Sequence, residues 1–272
     1  MRRMILLDHE QIEQYCRIVA YAFPEFNLIK QESREKFTQH LKMLQDLDEH
    51  INLLGLVEDD TLLGGIRVHS FGYNYYGNTV PAAGLGLVAV DLAHKKRRVC
   101  RDMMRHFIGS SREKGCLFAM LYPFRPDFYH RMGFGWGSRL HGYRLSPLQL
   151  PDSPHVPRAT LLSENDTEAL RACYDEYFRQ QHGMVGASGW EWQRFTLSGR
   201  IVAGVWNGER LTGYVTFMFR NVGGENHDKD IVVEQIVWLY VEAMLSLLQF
   251  LRSQADQARH IVMPLVNDAF SY

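Results

Sequence analysis

The feature that most constrains this chain is that it repeats its own plan. "GVWNGERLTGYVTFMF" (204–219) lines up with "LVEDDTLLGGIRVHSF" (56–71), with Val57/Val205, Leu63/Leu211, Gly65/Gly213 and Phe71/Phe219 at one offset and a turn-forming stretch in the same place. "TLLSENDTEALRACYDEYF" (160–178) follows "ILLDHEQIEQYCRIVAYAF" (5–23) in the same way: paired leucines, a capping residue, a helical stretch and a phenylalanine in register. A hairpin with such a turn is common. Two matches in the same order argue for a duplicated domain. At 272 residues the chain is long enough for two domains of ordinary size.

Within the first copy the hydrophobic period alternates. Met4–Leu7 reads as a strand, Asp8 as a helix N-cap, and Ile12, Tyr15, Val19 and Phe23 as one helical face. A second helix is expected over Glu32–Asp46. Strands follow at Asn52–Val57, Leu62–Phe71 and Val80–Val90, with turns at Asp59-Asp60 and Gly77-Asn78. Helix 95–112 should end at Lys114-Gly115, and Cys116–Tyr122, Pro126–Met132 and Trp136–Leu145 read as strand, short helix and last strand. Residues 146–157 (SPLQLPDSPHVP) hold four of the nine prolines and read as a linker.

Composition excludes several classes. Hydrophobic residues make up 46% and charged residues 22%, enough for a proper core, and the net charge of −1 argues against a nucleic-acid binder. Apolar runs are strand-sized and interrupted, so no membrane span is expected. Met1-Arg-Arg-Met resembles a signal n-region, but Asp8, His9 and Glu10 end the apolar run after a few residues, and a cytosolic protein is expected. The four cysteines form no CxxC pair and the twelve histidines no ligand-spaced cluster, so neither disulfides nor a metal is expected.

The copies diverge at their third shared element. In "LVAVDLAHKKRRVCRDMM" (87–104) the strand Leu87–Val90 is followed by four consecutive cations, Lys95, Lys96, Arg97 and Arg98, and then by a helical face at Val99, Met103 and Phe107. In "VVEQIVWLYVEAMLSLLQFLRS" (232–253) the strand and helix recur without a cation cluster, and Leu239-Tyr240-Val241-Glu242 stands where the first copy has His94 to Arg97. A helix N-terminus exposes unpaired N–H groups and a partial positive charge, so cations there are unfavourable without an anion. A phosphate ligand is the natural explanation, and four cations suit a diphosphate with a further phosphate. A solvated face is the commoner meaning of a charge run in general. One sign throughout, at a strand end, favours the phosphate. The nucleotide P-loop GxxxxGK[ST] is absent.

This strand, basic turn and helix resemble the acetyl-CoA-binding motif of the GNAT N-acetyltransferases. The family pattern Arg/Gln-x-x-Gly-x-Gly/Ala falls on Lys95-Lys96-Arg97-Arg98-Val99-Cys100, departing from it at Arg98 and Cys100. Arg98 is read as a helical residue that needs no positive φ. Its side chain would either swing outward as an added phosphate contact or crowd the site, and retained binding is expected. "DFYHRMGFGWG" (127–137) resembles the family's Tyr-x-x-x-Gly-Phe segment through Tyr129, Gly133 and Phe134. The whole layout resembles the Eis-like acetyltransferases, with "YPFRPDFYHRMGFGWG" and "HGMVGASGWEWQRF" (182–195) as the most specific segments.

The resemblance implies an α+β protein of tandem GNAT (acyl-CoA N-acyltransferase) folds, each a mixed, mostly antiparallel sheet flanked by helices. A domain at 1–145 would hold acetyl-CoA, and 158–272 would be a second copy without a cofactor loop. The implied reaction moves acetyl from acetyl-CoA to a primary amine, by resemblance that of an aminoglycoside or a polyamine-like molecule in an acidic pocket between the halves. Val88, Ala89 and Val90 would bind the acyl and pantetheine amides. Lys95, Lys96 and the helix N-terminus at Val99 and Cys100 would hold the diphosphate, with Arg97 or Arg98 reaching a phosphate. Tyr129 would be the general acid; the alternative is a tyrosine that only packs its ring. No base is assigned, Glu25, Glu32 and the histidines being candidates without positional support. Eis-like proteins continue into a sterol-carrier-like domain whose terminal carboxylate serves as base, a role not transferred to Tyr272. The resemblance also implies a homo-oligomer with no legible interface. The rival readings are a non-catalytic CoA-binding regulator and a tandem-GNAT aminoacyl transferase.

Overall fold

Asp8 caps the first helix as its spacing requires. Its carboxylate accepts from the Gln11 N–H at 2.8 Å, and the Gln11 side chain accepts from the Asp8 N–H at 3.0 Å. The helix it starts is α1 (His9–Ala22), preceded by strand β1 (Arg2–Leu6). This computed structural model describes residues 1–137, 139–187, 199–223 and 229–265, so residues 188–195 of the second Eis-like segment, and Tyr272, lie outside the described residues. The described chain divides into two compact units between Trp136 and Gly137.

In the first unit α2 (Gln31–Leu47) is followed by strands β2 (Ile51–Glu58), β3 (Thr61–Tyr75) and β4 (Asn78–Val90), then α3 (Val99–Glu113), β5 (Phe118–Leu121) and α4 (Pro126–His130). The sheet order is β1-β2-β3-β4-β5, antiparallel except for the parallel β4–β5 pair. Asp59 and Asp60 both hold positive φ (49° and 62°), the mirror-image turn that suits a two-residue hairpin. Alternation sorts the core onto two faces. Ile12, Tyr15 and Leu41 of α1 and α2 pack with Leu53 on one, while Met103 and Phe107 of α3 pack with Leu63 and Ile66 on the other. Phe107 is fully buried, and its truncation to alanine should cost about 3–5 kcal/mol.

The second unit holds β6 (His141–Leu145), β7 (Thr160–Leu161), α5 (Thr167–Gln180), β8 (Ile201–Asn207), β9 (Arg210–Asn221), β10 (Lys229–Trp238), α6 (Val241–Arg252) and β11 (His260–Leu265). Among the described residues its sheet order, β7-β8-β9-β10-β11-β6, repeats the first sheet and adds one strand, again with a single parallel pair, β10–β11. The duplicated α+β architecture is therefore present. No helix among the described residues is long and apolar enough to cross a membrane.

Three expectations are corrected. The expected strand Trp136–Leu145 shortens to His141–Leu145 and belongs to the second sheet, pairing with β11 from Ile261↔Leu145 to Leu265↔His141. The Arg144 guanidinium there meets the buried Asp230 carboxylate at 3.2 Å, a charge that needs a partner once it leaves water. Residues 146–157 are no free linker. Leu150 is buried in the second core, Ser153 N–H donates to the Gln249 side chain at 2.7 Å, and the Arg252 guanidinium donates to the Leu150 carbonyl at 2.8 Å. Four prolines here mark a segment that lies against a helix and itself forms only the short 3-10 turn Pro147–Gln149.

The repeat itself is one residue out of step with the sequence alignment. Glu58 and Asn207 both end the first hairpin strand, and the bulge pairs Leu56 with Gly64 in one unit and Val205 with Gly213 in the other. A Cβ on Gly64 would lie 2.5 Å from the Ala89 carbonyl oxygen, and one on Gly213 2.9 Å from that of Val237. The structural equivalents are thus Leu62/Leu211 and Gly64/Gly213. A one-residue slip along a strand exchanges its two faces, so the distinction carries weight.

Candidate active site

The site begins where β4 parts from β5. The parallel pairing runs only from Ala82↔Phe118 to Leu85↔Leu121, so β4 continues to Val90 with nothing described on its outer edge. Between Gly65 and Arg67 of β3 the register shifts, and Leu87 takes φ 47°. This bulge turns the Leu87 carbonyl out of the ladder and onto α1, where the Tyr15 hydroxyl donates to it. Burial pushes that hydroxyl's pKa far up, so it stays a donor. Past the bulge, Asp91 N–H donates to the Leu63 carbonyl at 2.9 Å. Ala89 faces β3 by the same alternation, and the Val90 N–H and C=O face the open edge.

The strand then passes through a short 3-10 turn, Leu92–His94, capped by the Asp91 carboxylate on the Ala93 N–H at 2.7 Å. Lys96 and Arg98 both hold φ 65°. The expectation that Arg98 needs no positive φ is therefore overturned: it is the N-cap of α3, left-handed, and provides no side-chain cap. The helix starts at Val99, so the four cations lie in the turn before it. Asp102 N–H donates to the Arg98 carbonyl at 3.1 Å. The N–H groups of Val99, Cys100 and Arg101 have no acceptor within the helix, the arrangement that suits an anion.

The four cations do not act alike. The Arg97 guanidinium donates to Glu58 at 2.8 Å, a fixed contact. Lys95, Lys96 and Arg98 are exposed, and the turn presents them beside the uncapped helix end. Val99 is buried under the sheet, while Cys100 is half-buried and its thiol pKa is pushed up to about 11 by burial.

Tyr129 lies on the α3 side of the sheet, in one apolar cluster with Val99 and the half-buried Val88, Val90 and Cys100. The spacing of its motif has a local cause. Gly133 at φ 96° reverses the chain, so that the Tyr129 carbonyl accepts from Met132 N–H (2.9 Å) and Phe134 N–H (3.2 Å). The Phe134 ring then meets the Tyr129 ring edge-on at 6.0 Å, and Phe128 does so at 5.2 Å. Burial, and then the neighbouring Cys100, push the Tyr129 hydroxyl pKa up to about 12. At neutral pH it keeps its proton.

Of the base candidates, Glu32 is paired with Lys36 at 2.7 Å on the surface of α2, and Glu25 sits in a 3-10 turn on the surface. Sequence reasoning missed Tyr15, Arg2, Glu58 and Asp102. Their signal is tertiary: Tyr15, Arg2 and Glu58 reach the site from other elements, and Asp102, in the first turn of α3 itself, acquires its role through Arg2. Among its described residues the second unit has no comparable turn. Tyr240 caps α6 in extended conformation (φ −140°), and Glu242 occupies the first helical turn.

Two family models match, each described as an acetyltransferase (GNAT) domain, over residues 3–137 and 183–271. An uncharacterized N-acetyltransferase from Streptomyces avermitilis is 31% identical over 152 residues, covering 55% of this chain and 37% of that protein. Among solved structures, a conserved protein of unknown function from Enterococcus faecalis superposes with a TM-score of 0.79 at 21% identity, covering 97% of this chain and 65% of that one. A GCN5-related N-acetyltransferase from Anabaena variabilis gives 0.83 at 15%, covering 100% and 68%. Eis1 from Mycobacterium abscessus gives 0.73 at 18%, covering 98% and 67%. The chain thus spans about a third of the curated relative and about two thirds of these solved chains, whose likeness establishes the fold. Two matched domains, two sheets of one order and a splayed strand running into an uncapped helix lead to one conclusion: the chain belongs to the GNAT acetyltransferase family, as a tandem of two GNAT domains.

Proposed function

We propose that the protein is an N-acetyltransferase that moves the acetyl group of acetyl-CoA to the primary amine of a small molecule, with its chemistry in the first unit. The observation that carries this reading is the open edge of β4 leading directly into the cationic turn and the uncapped N-terminus of α3. Such an edge offers amide partners to a pantetheine arm. The turn and helix end offer cations and N–H groups to a diphosphate. Lys95, Lys96 and Arg98 supply the side-chain charge, and the amides of Val99 and Cys100 the backbone donors.

In the reaction the amine nitrogen attacks the thioester carbonyl carbon, the C–S bond breaks, and the departing thiolate takes a proton from the Tyr129 hydroxyl. The amine releases its own proton to a base or to solvent. The raised pKa keeps the Tyr129 hydroxyl protonated at neutral pH, so a donor is present. The proton moves as the C–S bond breaks rather than because the thiolate is the stronger base, and the phenolate then regains a proton from solvent. The resemblance of the layout to the Eis-like acetyltransferases is what supports an aminoglycoside or polyamine-like acceptor in this reading.

Calorimetric titration with CoA tests the cofactor site. Lys95→Ala/Lys96→Ala should lose at least tenfold in affinity, since a hydrogen bond to a charged group contributes about 1.5–3 kcal/mol. Unchanged affinity would remove the site. A thiol-release assay over aminoglycosides and polyamines tests the transfer, and stabilisation by CoA without thiol release from any acceptor would count against an enzyme.

A further inference from the structure

The cationic turn is held from a distant strand. Arg2, in β1, is 95 residues away in sequence from Arg97, yet its Nη1 donates to the Arg97 carbonyl at 2.9 Å. The same Nη1 donates to Asp102 at 2.7 Å, and Nε donates to Glu58 at 3.1 Å. Glu58 accepts from Arg97 through its other oxygen at 2.8 Å. The four side chains therefore alternate in sign, Arg97–Glu58–Arg2–Asp102. Their charges cancel as a set.

We propose that Arg2 is a positioning residue for the diphosphate site of coenzyme A. The proposal rests on the reading of that site given above and goes beyond it. Two physical effects carry it. The peptide unit between Arg97 and Arg98 is planar and trans, so a carbonyl drawn toward Arg2 aims the Arg98 N–H the opposite way, away from β1. Arg2 thereby fixes the orientation of a backbone donor in the turn. The second effect is electrostatic. Asp102 lies in the first turn of α3, where a carboxylate favours the helix but repels an incoming phosphate. Bound to Arg2, it is neutralised at short range, and Lys95, Lys96 and Arg98 are left to act on the ligand. A lysine at position 2 would keep the charge without the planar fork that reaches three acceptors at once.

The test measures CoA affinity by calorimetry and the unfolding midpoint for each variant. Arg2→Ala should weaken CoA binding about tenfold, the loss expected when a charge-assisted contact near the ligand is removed. Arg2→Lys should recover part of this, and adding Asp102→Asn to Arg2→Ala should recover part of it by removing the exposed carboxylate. A residue that only stabilised the fold would lower the midpoint without this binding rescue. Should Arg2→Ala not fold, Arg2→Gln removes the charge at similar length and carries the same expectation. If the Arg2 variants bind CoA within twofold of wild type while Lys95→Ala/Lys96→Ala loses tenfold, the site stands and the role of Arg2 falls. If the lysine pair also changes nothing, the coenzyme A reading falls and this inference falls with it.

Discussion

Arg98 offers the sharpest test of the backbone geometry. It is a non-glycine residue at φ 65°, ψ 13°, exposed and without a capping contact. Left-handed backbone costs an L-residue about 1–2 kcal/mol, because Cβ crowds the following carbonyl oxygen. Glycine escapes that cost but gives the unfolded chain more freedom, which takes back about 0.4–1 kcal/mol. Arg98→Gly should therefore stabilise the protein by about 0.5–1 kcal/mol, a rise of about 1–4 °C in the melting of its unit. Arg98→Ala keeps Cβ and hence the strain, and should fall within about 0.5 kcal/mol of wild type. Both variants remove the same charge, so both should weaken CoA binding to a similar degree. Calorimetric melting of the three proteins, with CoA titrations alongside, reads the two effects separately. Arg98→Gly melting no higher than Arg98→Ala would refute the left-handed assignment and the account of the turn built on it.

Other outcomes follow from single contacts. Tyr129→Phe should lower turnover strongly while CoA affinity stays within about twofold; wild-type turnover would return Tyr129 to a packing role. Gly64→Ala would bring a Cβ to 2.5 Å from the Ala89 carbonyl oxygen and 3.1 Å from Val90 Cα, and neither backbone atom can yield without moving the open edge. Denaturant unfolding should show a loss of about 1–3 kcal/mol, and CoA affinity should fall as well. His69 has its pKa lowered to about 4, by burial first and then by the Arg67 charge, with Asp48 opposing. Its unfolded value near 6.5 means that the unfolded chain binds the extra proton first as pH falls. Stability should therefore decline from about pH 6.5 down to about pH 4 and level off below, with His69→Gln flattening that part of the curve; an unchanged slope in the variant would assign the decline elsewhere.

Much of the fold is legible because its causes are local. Asp8 and Gln11 form the capping box within four residues of chain, and Gly133 and Phe134 fold back on Tyr129 within six. The alternation of β2 and β3 survives in the sequence even though its register between the copies is misjudged by one. A turn of Asp59-Asp60 and one of Gly208-Glu209 look alike in composition, and only the bulge positions show which residues are equivalent. Helix α3 was expected to include the cations because nothing local forbids it; Arg97, between the left-handed Lys96 and Arg98, is held by Glu58 and Arg2 on other strands.

What the sequence alone determined is the duplication, the kind of most elements in the first copy, the cationic run present in one copy only, and the Tyr129–Phe134 motif. Tertiary structure decided the rest: the bulge at Leu87 under the Tyr15 hydroxyl, the pairing of Arg97 with Glu58, the start of α3 at Val99, and the entry of β6 into the second sheet. The physical reason is range. Hydrophobic period and capping chemistry record which way a side chain turns within its own element. The sign of φ at a junction, and the partner of a charge, depend on groups that arrive only when distant strands close together.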